Sequence, residues 1–73
     1  MPNSIRNQIH GTITRITSDK VMSEVILDTP AGELVSVITT ASVKNMKLKR
    51  GKVVTALVKA TNLSLKDCDC GQH

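Results

Sequence analysis

The sequence predicts a small all-β barrel, and its composition and patterning both support this fold class. Thr, Val and Ile make up 22 of the 73 residues, and these β-branched side chains fit a pleated sheet and lose rotamer freedom in a helix. Apolar and polar residues alternate along short runs. The chain has no Phe, Tyr or Trp, so its core must be aliphatic. A ring-free core in so short a chain gives little stability, which favours a homo-oligomer.

The first strand is expected at residues 5–17, where polar and apolar side chains alternate. Ile9 and Ile13 share one face of this run, whereas Ile16 falls on the opposite face. An extra residue inside a strand reverses the alternation in this way. The pattern therefore predicts a β-bulge, or a switch of partner strand, near residues 11–15.

The next two apolar runs are expected to form a hairpin, with strands at residues 21–28 and 33–39. Residues 29–32 read TPAG, and Pro at the second position with Gly at the fourth is typical of a type I turn. The turn is short enough to join antiparallel neighbours.

Residues 40–46 are the one helix candidate, with Thr40 as its expected N-cap. Gly51 follows and can supply a positive φ in a turn. Further strands are expected at residues 52–59 and 61–65. Five short strands with one helix between the third and fourth are typical of a Greek-key barrel of the OB type.

The charge of the chain favours anionic partners. Ten Lys and Arg residues against six Asp and Glu give a net charge of +4, which is compatible with nucleic acid, small oxyanions or an acidic membrane. The first residues do not resemble a signal peptide, and no apolar run reaches the ~18 residues of a membrane span. We therefore expect a cytoplasmic protein without a membrane partner, whose thiols stay reduced and unpaired.

Residues 4–11 read SIRNQIHG and residues 54–61 read VTALVKAT, and three shorter stretches lie between them. Together these five stretches resemble the Mop or molbindin family, a single-domain form of the molybdate-binding TOBE module. Residues 4–11 (SIRNQIHG) resemble the opening motif of the family, and residues 54–61 (VTALVKAT) resemble its V-x-A-L-(V/I)-K-A-(S/T) motif. Residues 23–25, 37–43 and 48–51 resemble shorter motifs between them. The order and spacing of the five are more specific than any one alone.

The resemblance implies an OB-like barrel that assembles as a hexamer, a trimer of dimers with exchanged N-terminal strands. It implies molybdate, or tungstate in its place, bound at subunit interfaces, and a role in oxyanion storage and homeostasis. No organic cofactor is implied, and no enzyme activity is expected because no acid/base or nucleophile constellation is present.

Molybdate is a tetrahedral dianion that offers only acceptor oxygens, so its site needs donors and no carboxylate. The resemblance implies oxyanion-binding residues Ser4, Ile5, Arg6, Lys59, Ala60 and Thr61. A possible second oxyanion site is the loop formed by Lys20, Val21, Met22 and Ser23. Asn7, between the motif residues, is expected to fix local backbone rather than to touch the ligand. Without the resemblance, each of these residues would be read as an ordinary terminal or surface residue.

An alternative function is a nucleic-acid-binding OB module that uses the basic residues 44–52, which carry five positive charges. A solvated face is the commoner explanation of such a run. The lack of aromatic residues also argues against this alternative, because single-strand binders stack bases on aromatic rings. Nucleic acid is therefore an unlikely partner.

The expected domain comprises residues 1–66, followed by a flexible tail at residues 67–73. In the tail, Cys68, Cys70 and His73 form a C-x-C-x-x-H pattern. Thiols and imidazole are ligands for soft metals, but structural zinc normally takes four ligands. An unliganded tail is therefore favoured over a metal site.

Overall fold

The structure is a computed structural model that describes residues 6–68. Within this range four strands form one antiparallel sheet in the order β3-β2-β1-β4. The elements are β1 (Asn7–Ser18), β2 (Met22–Thr29), β3 (Gly32–Thr39), α1 (Thr40–Asn45), β4 (Val53–Val58) and a 3₁₀ helix (Ala60–Asn62). The all-β class, the β2–β3 hairpin and the helix before the last strand are confirmed.

Strand β1 is shared between two neighbours. Residues 7–12 pair with β4, and residues 12–18 pair with β2. The register against β2 shifts between Ile13 and Arg15, which confirms the predicted bulge. Because a bulge bends and twists its strand, β1 can leave one neighbour and join the other. The sheet therefore curls in the manner of an OB-like barrel.

A small aliphatic cluster lies inside this curl. Its buried members are Ile13, Val25, Leu27 and Val43, with the partly buried Ile16, Leu34, Ile38, Leu48, Val54 and Ala56 packed around them. All four strands and the helix thus contribute to one core, without any aromatic ring.

Gly11 lies where β1 passes closest to the end of β2. A Cβ at this position would sit 2.8 Å from Thr29 Cγ2 and 3.2 Å from the Asp28 carbonyl oxygen. Both distances are shorter than ordinary van der Waals contact. The close approach of the two strands therefore requires glycine.

The N-cap of helix α1 lies one residue earlier than predicted. Thr39 is the N-cap, because it keeps the extended backbone of β3 and its hydroxyl accepts the Ser42 N–H at 3.1 Å. The expectation of Thr40 as N-cap was wrong. Thr40 is the first helical residue, and its hydroxyl instead donates to the Asp19 carbonyl at 2.8 Å.

The prediction of a fifth strand at residues 61–65 is also wrong, because the structure has no strand there. Its first part belongs to the 3₁₀ helix, and residues 63–68 pair with no strand of the described range. Leu65 is 90% exposed and Leu63 54%. The alternating leucines have the composition of a strand, but a strand also needs a sheet edge to take its backbone hydrogen bonds.

The barrel is open between β3 and β4, which are the two edges of the sheet. A mainly aliphatic groove of about 420 Å³ lies between them. Val35 on β3 and Leu57 on β4 are exposed beside it. No helix within residues 6–68 is both long and apolar enough to cross a membrane.

Candidate oxyanion-binding site

The two ends of the sequence that were predicted to bind an oxyanion meet at one end of the sheet. Asn7, the first residue of β1, pairs with Val58, the last residue of β4. Arg6 precedes this pair and Lys59 follows it. We call Arg6, Lys59, Ala60 and Thr61 the strand-end site. Antiparallel pairing within one chain therefore brings these parts together, without needing a partner subunit for that step.

The backbone leaves β4 in a sharp turn. Lys59 has extended dihedral angles (φ −63°, ψ 140°) and is the N-cap of the 3₁₀ helix, and its carbonyl accepts the Asn62 N–H at 2.8 Å. The first N–H groups of a helix have no acceptor inside it. The turn therefore presents backbone donors at Ala60 and Thr61, beside the Thr61 hydroxyl.

The strand-end site is cationic and open to solvent. Arg6, Lys59, Ala60 and Thr61 are all exposed. Within residues 6–68, neither Arg6 nor Lys59 forms an ion pair with a carboxylate. Both charges are therefore available to an anion. Ser4 and Ile5 lie outside the described residues, so their predicted contributions stay predictions.

The predicted second site, by contrast, holds a carboxylate of the chain itself. Asp19 Oδ1 accepts the N–H groups of Val21 and Met22, each at 2.8 Å. These hydrogen bonds, that of Met22 first, lower the pKa of Asp19 below its ordinary value of 3.8. Asp19 was not among the predicted site residues, although an Asp directly before a turn is a known signal for this arrangement. An oxyanion here would have to displace the carboxylate.

Ser23, the hydroxyl donor of the same loop, is buried, and its hydroxyl group already has two hydrogen-bond partners. Its Oγ lies 2.6 Å from Ser18 Oγ and 2.8 Å from Thr40 Oγ1. The Thr40 hydroxyl in turn donates to the backbone of Asp19. This chain of hydroxyl groups joins the β1–β2 turn to the start of α1, so Ser23 has a structural role. Lys20 is exposed in the turn.

The basic segment, residues 44–52, forms the end of α1 and the turn before β4. Lys52 Nζ donates to the Met46 carbonyl at 2.6 Å, which places one cation against the carboxyl end of the helix, where positive charge is favourable. Gly51 has φ 91°, as the sequence predicted. At least one cation of the segment therefore has a structural function.

The predicted soft-metal set falls mainly outside the described residues, where Cys70 and His73 lie. Cys68 is disulfide-bonded, so the expectation of reduced thiols is wrong for this residue. Within residues 6–68, no three His, Cys, Asp or Glu side chains are grouped to hold a metal ion.

The fold and the cationic end of its sheet define a small OB-like domain, and its family is shown by comparison with known proteins. The family described as the TOBE domain matches residues 3–65. The chain belongs to the TOBE domain family.

Similar proteins carry the same fold over nearly their whole length. A molybdate-binding protein from Sporomusa ovata superposes with a TM-score of 0.88 at 39% identity, covering 92% of this chain and 100% of that one. MopII from Clostridium pasteurianum superposes with a TM-score of 0.83 at 31% identity, covering 90% of this chain and 100% of that one. Molybdenum-pterin-binding protein 3 of Clostridium pasteurianum is 32% identical over 66 residues, covering 89% of this chain and 97% of the relative. The OB-like fold and the Mop family resemblance predicted from the sequence are confirmed.

Proposed function

We propose that this protein binds molybdate and serves as a cytoplasmic store that buffers the oxyanion. The observation that carries the proposal is the β1–β4 pairing, which sets Arg6 beside Lys59 and the 3₁₀ turn. The binding residues are Ser4, Ile5, Arg6, Lys59, Ala60 and Thr61. The similarity in sequence and fold to a molybdate-binding protein that the match covers completely supports the same ligand. Tungstate, which has the same charge and shape, binds in its place.

The donor set fits the chemistry of a tetrahedral dianion. Arg6 and Lys59 supply charge, while hydroxyl and backbone N–H groups supply direction. A hydrogen bond to a charged group contributes roughly 1.5–3 kcal/mol. Micromolar affinity needs about −8 kcal/mol, so several such bonds, less the costs of desolvation and ordering, suffice. No catalytic chemistry is needed for this role.

The proposal includes assembly of the chain into a hexamer, a trimer of dimers, with the ion held between subunits. Within residues 6–68, a single chain leaves both sheet edges unpaired and exposes Val35 and Leu57 beside an apolar groove. Unpaired edges and contiguous apolar surface are typical of interaction sites. An ion bound between subunits stabilises the assembly by mass action. Exchange of the N-terminal strand remains a prediction from the family resemblance.

Lys59→Ala is expected to weaken molybdate binding by about tenfold or more, because a charged hydrogen bond of roughly 1.5–3 kcal/mol is lost. Titration calorimetry on the assembled protein measures this change. Lys44→Ala is the matched control, since it removes an equal charge from an exposed lysine of α1. Equal losses in the two variants would show that only net charge matters and would remove Lys59 from the site.

The same titration tests the ligand. Molybdate and tungstate should bind, whereas sulfate, with equal charge but shorter bonds, should bind more weakly. A mixed single-stranded oligonucleotide tests the alternative function that uses residues 44–52. Binding of the oligonucleotide with no binding of molybdate would overturn the proposal.

A further inference from the structure

Asn7 ties the two halves of the strand-end site together. Its side-chain Nδ2 donates to the Val58 carbonyl at 3.2 Å, and its backbone pairs with the same residue in the sheet. We infer that Asn7 is a positioning residue: it holds the end of β4 against β1, so that Arg6 and residues 59–61 keep a fixed separation before the oxyanion arrives. The inference rests on the proposed function and deepens it.

Residues 59–61 need such a clamp because little else holds them. The β1–β4 ladder ends at Val58, and Lys59, Ala60 and Thr61 are all exposed. Their side chains therefore gain no order from packing in the core. Ordering a residue costs roughly 1–2 kcal/mol of backbone entropy, and a site ordered in advance avoids this cost when the ligand binds. The Asn7–Val58 hydrogen bond lies one residue before the segment that must be ordered.

The carboxamide of Asn7 suits this position chemically. Its NH₂ group is a donor that the Val58 carbonyl can accept, and it carries no charge that would repel a dianion beside Arg6. A carboxylate of the same size has no hydrogen to donate and adds a negative charge. Asn7→Asp should therefore bind molybdate more weakly than Asn7→Ala, whereas Asn7→Gln, which keeps the carboxamide, should retain more affinity than either.

The sheet offers a matched control between the same two strands. His10 Nδ1 lies 2.9 Å from Thr55 Oγ1, which links β1 to β4 three residues further from the site along each strand. Both side chains are exposed. Thr55→Val removes this link and keeps a β-branched side chain. Asn7→Ala and Thr55→Val thus each delete one side-chain link between β1 and β4, at different distances from the site.

The experiment combines molybdate titration calorimetry with amide hydrogen exchange of residues 59–62 in the ion-free, full-length protein. Sedimentation first checks that every variant assembles like the wild type. Asn7→Ala should weaken molybdate binding by roughly two- to twelvefold, the factor that corresponds to one hydrogen bond. It should also speed exchange at residues 59–62. Thr55→Val should change neither quantity.

Each other outcome overturns the inference. If Asn7→Ala lowers affinity without changing exchange at residues 59–62, Asn7 acts on the ion directly. If both variants lose affinity equally, the effect belongs to the sheet in general. A wild-type protein that does not bind molybdate overturns the proposed function instead, and the exchange comparison alone then decides whether Asn7 orders the turn.

Discussion

At the scale of single residues, Asp19 organises the turn between β1 and β2. Its carboxylate accepts two backbone N–H groups, while its own carbonyl accepts the Thr40 hydroxyl. One residue therefore connects the turn with the start of α1. An acidic side chain at this point also makes the loop unattractive to a second anion, which favours the strand-end site as the place where an oxyanion binds.

The lowered pKa of Asp19 makes its contribution to folding dependent on pH. Because folding favours the ionised form, the stabilisation is complete above the ordinary pKa of 3.8 and is lost as the pH falls through the lower pKa of the folded state. Asp19→Asn should lower the free energy of unfolding at neutral pH, and the difference from the wild type should shrink below pH 3.8. Chemical denaturation of both proteins over a pH series measures this difference in the free energy of unfolding.

Asp19→Ser provides the control, since a hydroxyl group keeps an oxygen acceptor that does not titrate. The wild type should lose stability relative to this variant as the medium becomes acidic. A difference that stays constant with pH would show that the carboxylate charge plays no part in the turn.

At the scale of secondary-structure elements, the close approach of β1 to the end of β2 depends on Gly11 and Thr29. Gly11 allows the approach, and Thr29 occupies the space opposite. The Thr29 hydroxyl is fixed by two hydrogen bonds, one donated to the Gly32 carbonyl at 2.6 Å and one accepted from the Ala31 N–H at 3.1 Å. The methyl group of Thr29 therefore cannot rotate away without breaking the turn.

Gly11→Ala is expected to destabilise the protein by about 1–3 kcal/mol, the usual cost of an added methyl group in a packed site. Thr29→Ser removes the methyl group at 2.8 Å but keeps the hydroxyl. The cost of Gly11→Ala should therefore be smaller in the Thr29→Ser background. A double-mutant cycle by chemical denaturation measures the coupling, and strictly additive costs would contradict the steric explanation.

Local sequence patterns predicted those elements whose cause is local. The bulge near residues 11–15 followed from a reversed alternation, and the turn at Gly51 followed from its need for a positive φ. The adjacent threonines 39 and 40 are equally good caps, so only the continued extension of β3 selected Thr39. The strand predicted at residues 61–65 was wrong because alternating leucines give only the composition of a strand, whereas backbone pairing depends on where a sheet edge lies in space.

The same distinction applies to the candidate site. The family motifs identified the residues at both ends of the chain, but their meeting depends on the long-range pairing of β1 with β4, which no local pattern reveals. The Asp19 hydrogen bonds and the hydroxyl chain through Ser23 were also missed, because they depend on where β2 and α1 lie in space.

At the scale of the whole molecule, the main feature is the open side of the barrel, where sheet edges and apolar side chains are not covered by the rest of the described chain. Two sheet edges, an apolar groove and a nearly bare leucine are left exposed. A protein with this surface is expected to bury it against copies of itself.

Leu65→Asp tests this expectation, because Leu65 is 90% exposed in the single chain and its replacement should leave the fold of one subunit intact. We expect the variant to sediment as a smaller species than the wild type. Ser64→Asp, which adds the same charge at the neighbouring residue, should assemble normally. An unchanged assembly in Leu65→Asp would show that this leucine stays in solvent.

The pairing of Asn7 with Val58 also has a consequence for folding during translation. The two residues are 51 positions apart, so the amino-terminal half of β1 cannot pair with β4 until residues 53–58 have left the ribosome. Contacts between such distant positions form late and slowly. A nascent or prematurely terminated chain that lacks β4 therefore cannot bring Arg6 next to residues 59–61, and under the proposed function only chains that include β4 would bind the ion.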